Sequence, residues 1–591
     1  MVEHPPYKRG VGGSIPPGRT FFMKEILFSK KGEKIIALGN EAVCRGALEA
    51  DVDFVSTYPG TPASEIGNVF FALKEEIKKI KPSFHFEFST NEKVATEAAA
   101  GAAFSGLKSL VAMKNFGLNV ASDFVHTLMY TGVEGAMVML VADDPSCWSS
   151  AQSEQNSRFY LQSAHIPALE PSDVQEFKEF TKFAFLLSQK YKIPVMIHSV
   201  TRASHQGGIL KCDQINLKDK KGFFKRDPKR FSTMSPRVLE MKKQLFEKIE
   251  KIKKEAENSS LNKTFKGKSK NLAIITSGIS FSLVQEALSR LKINLPILKL
   301  GFVYPLPEKK ILQFLKGIKK VLVVEELEPY LEKEILALAQ KARLKVEIIG
   351  KGEAIEGARL WTGEKGKRKA ILPQIGELKP EYIEFAISKI LKKKLLFNYE
   401  EHLAKVQKIE TITRPPILCP GCPYWYVVNA LKKIVNVNEV IFGGEIGCYM
   451  LFSHKAINLQ DYLYCMGSSI GVAHGISKSS SQKVICFTGD SSFFHASIPA
   501  LINTVFNESN PLIIILENQT TAMTGHQPHP GTKGIKILDI VKACGIKNIK
   551  EINQTQNQKE FEETIKEFLE KNEPAVIIAK GECALLKKKK Q

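Results

Sequence analysis

A carboxylate and a carboxamide end two apolar runs late in the chain. Val484–Thr488 (VICFT) has the pattern of a short buried strand and stops at Gly489-Asp490-Ser491. Ile498, Leu501, Ile502 and Val505 fall at helical spacing, so a helix follows. Pro511–Leu516 is a second apolar run, ending at Glu517-Asn518. A β-α-β unit of this kind puts Asp490 and Asn518 at the carboxyl ends of neighbouring parallel strands, where open α/β sheets bind ligands. Both side chains offer hard oxygens. These suit Mg²⁺, which keeps near-octahedral oxygen coordination and binds phosphates through its remaining positions. The backbone carbonyl of Thr520 could complete the protein's share. Gly489 lets the backbone approach a diphosphate, and the next helix offers N–H groups. An ordinary strand-turn-helix would explain Gly-Asp alone. The interval to Asn518, the strand at each end and the Thr-rich loop Thr520–Thr524 favour the metal site.

That spacing resembles the thiamine diphosphate motif, Gly-Asp-Gly followed further on by a paired Asn; here the third position is Ser491 and the pair is Glu517-Asn518. Thiamine chemistry also needs a carboxylate on the aminopyrimidine, to favour the tautomer that deprotonates the thiazolium carbon. That group belongs to a second domain facing the first. Asn91–Gly106 (NEKVATEAAAGAAFSG) resembles the His-Glu-x-x-Ala-x-x-x-Ala-x-Gly helix start of pyrimidine-binding domains, with Asn91 in place of His. Glu92 is then the activating carboxylate. The plainer alternative is that Glu92 complements the first-turn dipole of an Ala-rich helix.

Cys419-Pro-Gly-Cys422, Cys448 and Cys583 form a third group. A lone CxxC fits zinc or a dithiol redox pair as well as an iron–sulfur cluster. The order CPGC, GC, C beside a thiamine motif looks like the proximal [4Fe–4S] cluster of 2-oxoacid:ferredoxin oxidoreductases. A cluster there has a purpose, because decarboxylation leaves an electron-rich product that can be oxidised one electron at a time. The remaining cysteines, at 44, 147, 212, 465, 486 and 544, read mostly as small core residues.

These groups need a scaffold. Strand and helix patterns alternate from Lys34–Gly39 through Phe54–Ser56, Phe84–Phe88, Leu110–Met113 and Met137–Ala142, and again from Asn271 to Val346–Ile349, with Gly301–Pro307 as a turn. The expected fold class is therefore α/β, with three doubly wound, mainly parallel domains. The expected boundaries are a disordered tail at 1–22 (with Met23 a possible start), a pyrimidine-type domain at 23–212, a basic linker and helical arm at 213–268, a transketolase-C-terminal-like domain at 269–398, and a diphosphate-type domain with the cysteines at 399–591. A length of 591 residues accommodates about three domains. No apolar run is long enough for a membrane span, and the N-terminus has no apolar h-region. With ten cysteines and no export signal, a reducing, cytoplasmic setting is expected. The net charge of +22 comes without a nucleic-acid module or aromatic interleaving, so it reads as solvated lysine faces.

The segments LGNEAVCRGALEADVDFVSTYPGTPASEI, NEKVATEAAAGAAFSG, MKNFGLNVASD, DDPSCWSSAQSEQNSRFY, LCPGCP, GEIGCY and GDSSFFHASIPALINTVFNESNPLIIILENQTTAMTGHQPHPG resemble the large (alpha) subunit of indolepyruvate ferredoxin oxidoreductases, from about Lys34 to Cys583. The resemblance implies oxidative decarboxylation of aryl 2-oxoacids with CoA. It implies thiamine diphosphate with Mg²⁺ on Asp490, Asn518 and Thr520, and one [4Fe–4S] cluster on Cys419, Cys422, Cys448 and Cys583. It implies a small beta subunit, ferredoxin as acceptor, and a dimer or heterotetramer. It also implies that Thr61 in the YPGTP turn contacts the 2-oxoacid or thiamine, that His526 faces the same pocket, and that Arg158 is available to the substrate carboxylate. There are three departures. The chain stops in CALLKKKKQ where the family usually carries a ferredoxin-like domain, so electrons would leave the proximal cluster directly or through another polypeptide. Tyr424 follows CPGCP where His is frequent. Asn115 stands where His is common in MKxxGLN. The competing enzyme class is a non-oxidative thiamine decarboxylase of the sulfopyruvate decarboxylase kind. A redox-inactive scaffold that keeps thiamine only for structure is the non-enzyme alternative.

Overall fold

The computed structural model describes residues 19–351, 371–395, 397–410 and 416–590. The expected tail at 1–22 lies outside these residues up to 18, and helix Arg19–Phe28 covers the rest. Among the described residues the chain forms two compact units, one of 19–87 and 92–410, the other of 88–91 and 416–590. No helix among them is long and apolar enough to cross a membrane.

The C-terminal unit is built on six parallel strands in the order Tyr462–Leu463, Val440–Gly444, Lys483–Gly489, Leu512–Glu517, Ala575–Lys580, Asn548–Ile552. Helices cover both faces, so its central strands are apolar on both sides, as parallel sheets require. Leu512, Ile514 and Leu516 point to the face covered by helices Tyr424–Ile434 and Gln558–Leu569. Ile513 and Ile515 point to the other face, under Ile470, Leu501 and Val541. After Val440–Gly444 the chain runs outward to Tyr462–Leu463. It then returns to place Lys483–Gly489 on the opposite side. The carboxyl ends of Val440–Gly444 and Lys483–Gly489 thus form a switch point, the usual ligand crevice of open α/β sheets.

The other unit contains a seven-stranded and a five-stranded sheet. The first has the order Phe302–Tyr304, Ala168–Leu169, Val195–Val200, Ala136–Asp143, Lys108–Lys114, Phe54–Thr57, His85–Phe88. The second runs Glu347–Ile349, Lys320–Val324, Ala273–Ser277, Ile297–Leu300, Lys263–Phe265. The fold class is α/β with mainly parallel sheets.

Three sequence expectations change. Lys34–Leu38 does not join the main sheet. It pairs antiparallel with Gly207–Lys211 in a separate ribbon, with Lys34 and Ile36 exposed. The expected turn at Gly301–Pro307 contains strand Phe302–Tyr304, which crosses over to pair with Ala168–Leu169 in the seven-stranded sheet. The expected linker at 213–268 contributes an edge strand, Lys263–Phe265, antiparallel to Ile297–Leu300. Each depends on a distant partner strand, which local pattern does not reveal.

Candidate functional site

Asp490 directly follows strand Lys483–Gly489, and Asn518 directly follows Leu512–Glu517; Gly489 pairs in register with Leu516. Asp490 is buried. Its Oδ2 accepts from the backbone N–H groups of Asn518 (3.0 Å) and Gln519 (2.7 Å), and its Oδ1 accepts from Ser491 N–H (2.8 Å). Asn518 Oδ1 accepts from Thr520 N–H at 3.1 Å, while Nδ2 donates to Tyr424 Oη at 2.9 Å. Thr521 Oγ1 donates to Ser491 Oγ at 3.0 Å, which ties the Thr-rich loop to the Gly489-Asp490-Ser491 turn. Gly489 is needed for space: a Cβ there would lie 3.0 Å from Tyr449 Cε1. The Asp490 carboxylate and the Asn518 amide oxygen are hard donors of the kind that suits Mg²⁺, and Thr520 is held two residues on by its N–H on Asn518 Oδ1. The helical path from Asp490 passes through a π-turn, Phe493–Ser497, before helix Ile498–Phe506. Such turns are frequent at functional sites.

Two buried groups, one beside Asp490 and one beside Thr488, escaped the sequence reading. His529 Nε2 lies 3.2 Å from Asp490 Oδ2, and its Nδ1 accepts from Gly531 N–H. Both His526 and His529 belong to the same TGHQPHPG run, and only the fold separates their positions. Glu445, at the other side of the switch point, is fully buried. Its Oε1 accepts from Thr488 Oγ1 and from Tyr449 Oη, the latter at 2.9 Å, and its Oε2 has no partner among the described residues. Burial pushes its carboxyl up to about 8, against hydrogen bonds from Thr488 and Tyr449 that pull it down.

The four cysteines converge. Cys419, Cys422, Cys448 and Cys583 line one cavity of about 40 Å³, together with Tyr424, Asn518 and His526. The Cys422 backbone N–H bonds to Cys419 O (3.0 Å), and Cys583 N–H bonds to Asn518 O (3.3 Å). His526 adopts φ 67° in this loop. Burial raises the Cys419 and Cys448 thiols and pushes Cys422 up to about 12. Four thiols around one cavity match an iron–sulfur cluster in number and kind. Among the described residues, no three His, Cys, Asp or Glu side chains close on a cage for a single ion. Of the other cysteines, Cys44, Cys212 and Cys486 are buried, Cys147 and Cys544 half-buried, and Cys465 exposed.

In the other unit, Glu92 opens helix Glu92–Phe104 and is buried. Its side chain packs against Gly117, where a Cβ would lie 2.6 Å from Glu92 Cγ and 3.0 Å from Oε1. Thr61 follows strand Phe54–Thr57 in a turn, with Oγ1 3.3 Å from Ser64 Oγ and its carbonyl accepting from Ser149 Oγ at 3.3 Å. Arg158 corrects an expectation. It is buried, with Nη1 2.9 Å from Glu325 and Nε 3.0 Å from Asn156 Oδ1, while Glu170 bridges to His198 at 2.8 Å. Its guanidinium serves this internal network between the two sheets and is not presented to a substrate.

The family "Pyruvate flavodoxin/ferredoxin oxidoreductase, thiamine diP-bdg" matches residues 45–264. The family "Thiamine pyrophosphate enzyme, C-terminal TPP binding domain" matches residues 445–579. Indolepyruvate oxidoreductase subunit IorA of Methanothermobacter thermautotrophicus is 42% identical over 95% of this chain and 89% of that protein. The IorA subunit of Archaeoglobus fulgidus is 37% identical over the same shares, 95% and 89%. The solved 2-oxoglutarate:ferredoxin oxidoreductase from Magnetococcus marinus overlaps 61% of this chain and 66% of its own, at 17% identity and a TM-score of 0.47. Parallel sheets carrying these two matched regions define a thiamine diphosphate-dependent 2-oxoacid oxidoreductase. Within that class, the chain belongs to the family of the IorA subunits of indolepyruvate oxidoreductase.

Proposed function

We propose that this chain is the coenzyme-binding subunit of an enzyme that oxidatively decarboxylates aryl 2-oxoacids of the indolepyruvate kind. The 2-oxoacid and CoA give acyl-CoA and CO₂, and the two electrons released pass one at a time through a [4Fe–4S] cluster to ferredoxin. Domain boundaries near 23–212, 269–398 and 399–591 belong to this reading, as do a small beta subunit and a dimeric or heterotetrameric assembly. One observation carries the oxidative part: Asn518 of the metal corner lines the same cavity as Cys419, Cys422, Cys448 and Cys583. A cluster held there lies beside the coenzyme's metal loop, which a non-oxidative decarboxylase has no need of.

When bound, thiamine diphosphate supplies the carbon nucleophile that attacks the 2-oxo group. In this reading Asp490, Asn518 and the Thr520 carbonyl hold Mg²⁺, and Gly489 and Ser491 border the diphosphate. Tyr424 fixes the Asn518 amide so that its oxygen is presented. Glu92 accepts or holds the proton at the aminopyrimidine nitrogen, and Gly117 leaves room for its carboxylate. Thr61 orients the substrate, and His526 borders the cysteine cavity.

Asp490→Ala is expected to abolish Mg²⁺-dependent thiamine diphosphate binding in calorimetry; undiminished binding would refute the metal assignment. Anaerobically purified protein should carry about four iron atoms per chain, the content of one cubane. A preparation with zinc and no iron, or turnover of 2-oxoacids without reduction of a viologen dye, would favour the decarboxylase instead.

A further inference from the structure

With Arg158 held by Glu325, recognition of the substrate carboxylate needs another cation. Three strands of the seven-stranded sheet, Phe54–Thr57, Lys108–Lys114 and Ala136–Asp143, are neighbours with parallel pairing. Their carboxyl ends therefore lie at one edge, where they carry Thr61, Lys114 and Asp144. Lys114 ends its strand and precedes helix Asn115–Thr131. Its stem packs on the YPGTP turn: a Cβ on Gly60 would lie 3.0 Å from Lys114 Cγ and 3.1 Å from Cδ. Its Nζ donates to Ser150 Oγ at 2.8 Å, while the adjacent Ser149 Oγ lies 3.3 Å from the Thr61 carbonyl. Consecutive serines thus lie beside Lys114 and Thr61.

Asp144 is engaged by Ser149 N–H (2.8 Å), Ser149 Oγ (3.0 Å) and Thr201 Oγ1 (2.5 Å). Among the described residues no carboxylate lies within 4.0 Å of the Lys114 ammonium, though Asp144 and Glu92 act on it from further away. A second observation points the same way. The next residue, Asn115, is fully buried, and neither Oδ1 nor Nδ2 of its amide has a partner among the described residues. A buried amide left unpaired is costly unless a ligand satisfies it. Asn115 is the first residue of a 17-residue helix whose first turn has no side-chain cap and no acidic residue. The N–H groups of such a turn favour an anion.

We propose that Lys114, with Asn115 and the N-terminus of helix Asn115–Thr131, forms the receptor for the carboxylate of the 2-oxoacid, next to Thr61. The assignment rests on the 2-oxoacid reading of the enzyme and names the residues that recognise the substrate's invariant end. The groups facing Lys114 are Glu92 from helix Glu92–Phe104, and Asp144 and Cys147 beyond strand Ala136–Asp143. Burial lowers the ammonium to about 8, so it is charged at neutral pH and discharges in mild alkali.

The test uses the complete enzyme with its partner subunit. A charge-assisted hydrogen bond of this kind is worth about 10–100-fold in affinity. Lys114→Met should raise the KM for phenylpyruvate by that factor, with kcat within about threefold, as loss of uniform binding requires. Lys114→Arg should restore KM. It should also move the alkaline fall of kcat/KM from near pH 8 to well above it, a shift that a merely structural lysine would not produce. Thiamine diphosphate affinity should be the same in all three proteins, which shows that the variants fold. Binding of 3-phenylpropionate, followed by ligand-observed NMR, reads the site without turnover and should be lost in Lys114→Met. If wild-type enzyme oxidises no 2-oxoacid yet binds this carboxylate through Lys114, the activity reading fails and the receptor stands. Equal KM values in wild type and Lys114→Met, or equal 3-phenylpropionate binding, overturn the receptor.

Discussion

Glu445→Gln isolates the cost of a buried carboxyl at the switch point. Glu445 is fully buried, its Oε1 accepts two hydroxyl hydrogen bonds, and its Oε2 has no partner among the described residues. A proton on Oε2 satisfies burial. A charge there does not, which is why the group titrates near 8 and not at its ordinary 4.5. Between these values the folded chain holds a proton that the unfolded chain has released. Stability is therefore full below pH 4.5 and falls as pH rises toward 8. The window spans about 3.5 pH units at ~1.4 kcal/mol each, so the loss is on the order of 5 kcal/mol. Glutamine keeps the Oε1 acceptor, places an N–H donor where the proton sat, and does not titrate. In metal-free protein, urea titrations at pH 5, 6, 7 and 8 should show Glu445→Gln gaining on wild type at each step, by about 1 kcal/mol per pH unit. Parallel pH profiles for the two proteins would contradict the argument, because they would mean that Glu445 is already charged when folded.

Other expectations follow from single contacts. Gly117→Ala would put a methyl 2.6 Å from Glu92 Cγ, displacing the carboxylate; turnover should fall at least tenfold with protein stability reduced by about 1–3 kcal/mol, measured by kinetics and denaturation. Tyr424→Phe removes the acceptor of the Asn518 amide and should weaken Mg²⁺ binding roughly tenfold in calorimetry, with the iron content retained. The Cys419, Cys422 and Cys448 thiols, raised by burial, must release protons to bind iron. Iron taken up during anaerobic reconstitution should therefore rise from pH 7 to pH 9, and Cys422→Ser should lower it at every pH.

Much of this protein was legible from residue order. The apolar runs ending at Asp490 and Asn518 fixed the strands, because a parallel strand buried on both faces admits few polar residues and ends where they begin. CPGC, GC and the last Cys were grouped by their order in the chain, and the fold brings these four thiols around one cavity. The fold alone decided what depends on distant partners. It moved Lys34–Leu38 into a ribbon with Gly207–Lys211, and Phe302–Tyr304 into a sheet begun more than a hundred residues earlier. It closed Arg158 in a network with Glu325, and it set Lys114 at a sheet edge with its Nζ on Ser150 Oγ. Strand pattern reports only which face of a segment is apolar. Which strand lies alongside, and which charge meets which, is set by packing between segments far apart in sequence.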